Sequence, residues 1–211
     1  MTNIKNPLYV VKPPLYVDGD SKSNSDNNQD SWIQTFSCRK FNPLDPDPES
    51  IVIQDIAHAL SMQCRFSGHV KEFYSVAQHS VGVSYLTSPE DALWGLLHDA
   101  SEAYLVDIPS PLKKSGKFNP YLDFERNMMA ALCKRFNLPL EEPPSVKKAD
   151  KTMLIIEAEQ LMSPLHPDWM HRDSVPPFKV ILLSPRESKR IFLCRFAELT
   201  NQPIDIYKEY Y

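Results

Sequence analysis

From residue 53 onward, apolar side chains return every three to four positions, stretch after stretch, and no long run alternates with a period of two. That recurrence lines one stripe of a helix, whereas a half-buried strand needs strict alternation. Ile53, Ile56, Ala57 and Leu60 mark the first such stripe. Further helices are predicted over 74–86, 89–104, 121–136, 145–162 and 184–199. Two of them carry start signals. Ser88-Pro89-Glu90-Asp91 offers a hydroxyl N-cap, proline at the first helical position and acids in the first turn. Ser184-Pro185-Arg186-Glu187 reads as a capping box.

Ahead of the helices the chain is of another kind. Residues 1–17 carry three prolines among Leu, Tyr and Val and read as an extended arm; 18–31 are polar throughout and read as a flexible linker. Trp32 to Phe36 and Ser37 to Phe41 suggest two short strands, a hairpin, followed by a proline-punctuated turn over 42–48. The expected class is therefore all-α with a small N-terminal β-hairpin: an arm and linker over 1–31 and one domain over 32–211.

Several functions are set aside at this point. Nineteen prolines against five glycines suggest stiff loops and leave neither G-x-G-x-x-G nor G-x-x-x-x-G-K-[ST], so dinucleotide-binding and P-loop readings have no footing. A net charge of −4 argues against a surface for polymeric nucleic acid. Cys38, Cys64, Cys133 and Cys194 are far apart with no C-x-x-C pair, which suits reduced thiols in a cytosolic protein. Residues 1–17 lack the pattern of a signal peptide, and no 18 consecutive apolar residues occur. A cytoplasmic protein without a membrane span is expected.

The chemistry gathers around His98-Asp99. An imidazole and a carboxylate from neighbouring positions can grip one divalent cation, and Glu102 follows four residues after His98 and three after Asp99, on the same face of a continuous helix. His79 and Asp150 lie on two other predicted helices, so four candidate ligands come from three elements, as in metal sites built inside bundles. Mixed imidazole and carboxylate ligation suits Zn, Mn, Co or Fe. Each residue also has a plainer reading. A helical histidine is commonly a hydrogen-bonded core residue, and Asp150, beside Lys147, Lys148 and Lys151, fits a solvated charged face.

The order His79, His98-Asp99, Asp150 resembles the H…HD…D pattern of the HD-domain metal-dependent phosphohydrolases. Tyr74-Ser-Val-Ala-Gln-His-Ser80, His98-Asp-Ala-Ser-Glu102, Asp107-Ile-Pro-Ser-Pro-Leu-Lys113 and Lys148-Ala-Asp150 are similar to the bacterial 5′-deoxynucleotidase branch, phage dATP triphosphohydrolases included. The likeness runs from about Trp32 to Leu161. It implies an HD-type helical bundle in which His79, His98, Asp99 and Asp150 hold a divalent metal (Zn, Co, Mn or Mg). It further implies that Glu102 handles the proton of the attacking water or of the leaving oxygen, and that Asp107 assists from its loop near the phosphate or a second cation. Arg65 would meet phosphate and Phe66 would pack on the sugar where a 2′-hydroxyl would sit, in a place where several relatives have Trp. His69, Lys113 and Lys114, with Lys117 beyond them, are further phosphate candidates, and Gly68 permits a close backbone approach. In the hairpin, Ser37-Cys38-Arg39 stands where relatives tend to have Thr-Gly, a departure expected to alter the turn.

The implied activity is attack at the α-phosphate of a 2′-deoxynucleotide, releasing the deoxynucleoside from a mono- or triphosphate, with dATP favoured were the chain phage-encoded. Alternatives are cyclic-nucleotide or alarmone hydrolysis on the same scaffold, or a non-catalytic sensor of metal and nucleotide. Self-association into dimers or larger rings is implied as well. His58 reads as a structural residue at the edge of the site, and His166 and His171, in a proline-rich loop, as without a chemical part.

Overall fold

The computed structural model describes residues 31–162, 164–169 and 176–205. The arm and linker expected over 1–31, up to residue 30, and His171 lie outside the described residues. What remains is all-α with a two-stranded antiparallel sheet ahead of the helices. Strands β1 (Ile33–Gln34) and β2 (Lys40–Phe41) pair Ile33 with Phe41 and Gln34 with Lys40. The strands are shorter than the apolar pattern suggested, because the chain already turns at Thr35, whose carbonyl accepts from the Cys38 N–H. Cys38 itself sits at φ 60, a backbone region where glycine is at ease and a Cβ is not. Ser37 closes the turn onto the buried Asp55 of the first helix through its N–H (2.6 Å) and hydroxyl (2.8 Å).

Helix α1 (Ile53–Met62) buries Ile53, Ile56, Ala57 and Leu60, the stripe read from the sequence. Helix α2 (Val76–Leu86) opens on a capping box in which Ser75 accepts from the Gln78 N–H and the Gln78 side chain reaches back to Ser75. Helices α3 (Ala92–Leu97), α4 (Glu102–Leu105), α5 (Ser110–Lys113), α6 (Asn119–Phe136), α7 (Pro144–Leu161) and α8 (Pro185–Thr200) follow. The capping box at Ser184 and Glu187 is present. Two long helices end on asparagines at positive φ, Asn137 and Asn201, where glycine is the usual residue and this chain has few to spend.

Helix α2 packs against α1, α3, α7 and α8. It is buried almost from end to end, which is why its sequence lacks a clean polar face. The main core joins Phe41, Ile56, Leu60, Leu96, Leu97, Met128, Leu132, Phe192 and Leu193; a smaller one holds Val83, Trp94, Val146, Ala149 and Met153 beneath α7. The stretch over 176–184, ahead of α8, is fastened by two glutamines. Gln160 donates to the Phe178 carbonyl and accepts from the Val180 N–H, and Gln78 donates to the Ile181 carbonyl at 2.6 Å.

One predicted helix is not continuous. The stretch expected over 89–104 starts as a 3-10 turn, runs as α3 to Leu97, and resumes as α4 at Glu102. Between them the His98 ring takes the Gly95 carbonyl (Nδ1 to O, 2.9 Å), the acceptor that the Asp99 N–H would use in a continued helix. The backbone then advances by i+3 bonds, Ala100 N–H to Leu97 and Glu102 N–H to Asp99. Ser88 also differs from its expected part: its hydroxyl donates to the Asp91 carboxylate instead of capping the backbone.

Candidate metal centre

Two imidazoles face each other across the gap between α2 and the end of α3. His79 is wholly buried on α2 and His98 forms the C-cap of α3. Their Nε2 atoms are 3.2 Å apart. Asp150, on the second turn of α7, brings Oδ1 to 3.1 Å from His79 Nε2 and 3.8 Å from His98 Nε2. Asp99 brings Oδ2 to 3.3 Å from His98 Nε2 and 3.7 Å from His79 Nε2. The ligating atoms of His79, His98 and Asp150 all lie within 4.8 Å of one another, and this cluster could hold a metal ion.

The donor set fits a cation for a reason independent of distance. His79 Nδ1 is 2.8 Å from Oε1 of Glu157, and His98 Nδ1 is 2.9 Å from the Gly95 carbonyl. Carbonyls and ionised carboxylates only accept, so each Nδ1 carries the hydrogen and each neutral ring turns a lone pair inward. Two lone pairs and two carboxylates then converge on one spot, an arrangement that favours a cation. Without an ion, a proton does this work. Burial alone would lower His98, but Asp99, Asp150 and the Gly95 carbonyl raise it to about 9. Burial likewise opposes the charge of Asp99, yet His98, His79 and Arg65 hold it well below the usual carboxylate range. Asp150 is lowered too, against its burial, chiefly by its hydrogen bond with His79. Its side chain is 42% exposed, so the cluster is open to solvent on the α7 side.

Beside the cluster lies a cavity of about 200 Å³ lined by Arg65, Phe66, Gln63, Glu102 and Asp107. Glu102 is buried at the start of α4, one i+3 turn from Asp99, so the two acids stay on one side although the helix is interrupted. Burial pushes Glu102 up to about 9, with Asp99 and Asp107 adding to the shift. The backbone around the cavity is strained. Phe66, Ser67 and Gly68 stand in succession at φ 53, 52 and 81, and Val106, a β-branched residue, at φ 62 and ψ 149.

The phosphate candidates are distributed differently from the ligands. Arg65 is pinned by Glu157 (Nη2 to Oε2, 3.2 Å) and lies 3.9 Å from Asp99. Its guanidinium sits 5.5 Å from the Phe66 ring centre. Lys113 Nζ is shared at 2.8 Å each between Asp107 and Glu125. Lys114, Lys117 and His69 are exposed and do not line the cavity. His58 stacks on Phe36 with ring centres 3.8 Å apart, a structural contact.

Glu157 is the residue that sequence reasoning missed. It stands seven positions after Asp150, two helical turns along one face, directly after the apolar run Met153-Leu-Ile-Ile. An acid two helical turns after a candidate ligand, at the end of an apolar run, was the available signal.

Fold and site together define an all-α protein with a partly buried His/Asp cluster fit for a metal ion. No protein-family model matches the sequence. The chain is 39% identical over 173 residues to YfdR of Escherichia coli (strain K12), an uncharacterized protein, across 81% of this chain and 96% of YfdR. It is 36% identical over 145 residues to an uncharacterized protein of Rhodobacter capsulatus, across 62% of this chain and 73% of that one. The chain belongs to the family of YfdR. Among the described residues, no helix is long and apolar enough to cross a membrane.

Proposed function

We propose that this protein is a metal-dependent phosphohydrolase of the HD type that acts on 2′-deoxynucleotides and frees the deoxynucleoside from its 5′-phosphate. The observation that carries this reading is the convergence of His79, His98, Asp99 and Asp150 on one point beside a cavity that holds an arginine and two further acids. A divalent cation (Mn, Co, Zn or Mg) held by these four residues would polarise a phosphoryl oxygen and supply hydroxide near neutral pH.

The protein's own residues do the rest. Arg65 offsets negative charge on the phosphate oxygens as it grows in the transition state. Glu102, whose burial favours the protonated form, gives its proton to the departing 5′-oxygen. Phe66 packs against the sugar. Asp107 keeps the lysine of α5 beside the cavity. The charge inventory favours a monophosphate over a triphosphate. Lys113 is already neutralised by two carboxylates, and the remaining lysines and His69 lie outside the cavity lining, so a long phosphate tail finds little to pair with. Self-association and a cytoplasmic setting are part of the same proposal.

The test is phosphate and triphosphate release from a panel of deoxynucleoside mono- and triphosphates with Mn, Co, Zn or Mg added. Release of inorganic phosphate from the monophosphates is expected. Tight nucleotide binding with no turnover under any of these ions would overturn the hydrolase in favour of a nucleotide sensor.

A further inference from the structure

We infer that Glu157 is the positioning residue of this centre, orienting His79 through one carboxylate oxygen and restraining Arg65 through the other. The ion in question rests on the reading just given; the geometry around Glu157 does not. Its side chain is wholly buried on α7. A buried carboxylate persists only when its oxygens are supplied with donors, and here the supply is complete. Oε1 is 2.8 Å from His79 Nδ1, Oε2 is 3.3 Å from Arg65 Nε and 3.2 Å from Nη2, and the Tyr74 hydroxyl donates as well. Burial opposes its charge, yet His79 and Arg65 keep it ionised.

Two consequences follow for the ion. An acceptor at Nδ1 fixes the His79 tautomer, so Nε2 presents its lone pair toward His98 and Asp150. The second consequence concerns Asp99. Arg65 lies 3.9 Å from Asp99 and 3.2 Å from Glu157. With Glu157 holding the guanidinium, Asp99 stays available to the imidazoles; without it, Arg65 would close on Asp99 and withdraw that carboxylate from the ion. One acid thus secures two ligands without being a ligand itself.

The experiment compares Mn(II) affinity of the full chain, by chelator competition, in wild type, Glu157→Gln and Glu157→Gln with Arg65→Met. The amide keeps the shape but has one acceptor for donors from His79, Arg65 and Tyr74. Affinity is expected to fall about 10–100-fold in the single variant, the range for outer partners of metal-ligating histidines. It should recover in part in the double variant, where no arginine is left to seize Asp99. Equal affinity in wild type and Glu157→Gln would overturn the inference. A variant that fails to fold is bypassed by ring ¹⁵N spectra of the ion-free wild type. There His79 must carry a hydrogen on Nδ1, facing Glu157, and an Nδ1 without one would overturn the inference just as well. Because ion binding is read without substrate, a chain that binds Mn(II) in this Glu157-dependent manner yet releases no phosphate removes the hydrolase and leaves this inference in place.

Discussion

The ion cluster and the neighbouring phosphate side are built in opposite ways. His79 and Asp150 hang from long helices, α2 and α7, and His98 closes α3, with every inner hydrogen-bonding position of the rings accounted for. The phosphate side is assembled from the 65–69 turn and the 106–114 stretch, where backbone strain collects at Phe66, Ser67 and Val106 and the best-placed cations are already paired. The difference teaches where rigidity is needed. Ion ligands must be held within tenths of an ångström, which packed helices achieve, whereas a substrate is met by loops on a firm scaffold.

The largest effects should come from the helical half. His98→Ala or Asp150→Ala is expected to abolish phosphate release, a loss beyond the roughly 10–100-fold that outer partners alone command, measured with the ion in excess. Substantial turnover in either variant would break the comparison at its root. Glu102→Gln should lower kcat by about 10²–10⁴-fold, the usual weight of a general acid, while ion content stays at the wild-type level. A parallel loss of ion would move Glu102 from the cavity into the ligand set.

Stability offers a second set of breaks. A Cβ on Gly95 would meet Thr87 Oγ1 at 2.8 Å and the Ser84 backbone at 3.3 Å, so Gly95→Ala should cost about 1–3 kcal/mol by denaturant unfolding. Gly82→Ala meets only the flexible end of Met153, at 2.9 Å, and should cost less, because a thioether gives way where a backbone does not. The reverse order would mean that α2 and α7 are packed more stiffly than α2 and α3. On the phosphate side, Lys113→Met should cost only about 0.2–1 kcal/mol and leave KM unchanged, since the lysine serves two partly exposed acids. A raised KM would return it to the phosphate.

The ion-free protein should also show the proton that stands in for the metal. His98 binds its proton more tightly folded, at about 9, than at its ordinary value of 6.5. Its contribution to stability is therefore complete below about pH 6.5 and is lost as the pH rises through 9. Glu102, raised from 4.5 to about 9, acts in the same direction over a wider window. Unfolding midpoints of chelator-treated protein should fall from pH 6.5 to 9, and Glu102→Gln should flatten that slope. A midpoint that rises across this range contradicts both assignments.

Much of the helical half was legible in the sequence, because ligand type and helical periodicity are both local properties. Ile53 to Leu60 gave α1 its buried stripe, and Ser184 with Glu187 gave α8 its start. What escaped depends on contacts between distant residues. The break at His98 is made by a ring competing for the Gly95 carbonyl, invisible to a periodicity that continues through Leu96, Leu97 and Ala100. The neutralisation of Lys113 by Asp107 and Glu125 joins residues from two helices and a loop. Glu157 follows an apolar run, next to Ala158 and Glu159, and only the fold places it against His79 and Arg65, 78 and 92 residues away. The left-handed backbone at Cys38, Phe66 and Ser67 occurs at residues whose types do not announce it.

The most direct measurement is elemental analysis of Mn- or Co-loaded protein after exhaustive dialysis, for wild type, His98→Ala and Asp150→Ala, with folding verified by circular dichroism. An equimolar ion in wild type and its loss from both folded variants is the result expected. An ion retained by both variants, or none in the wild type, would contradict the centre on which the functional reading stands.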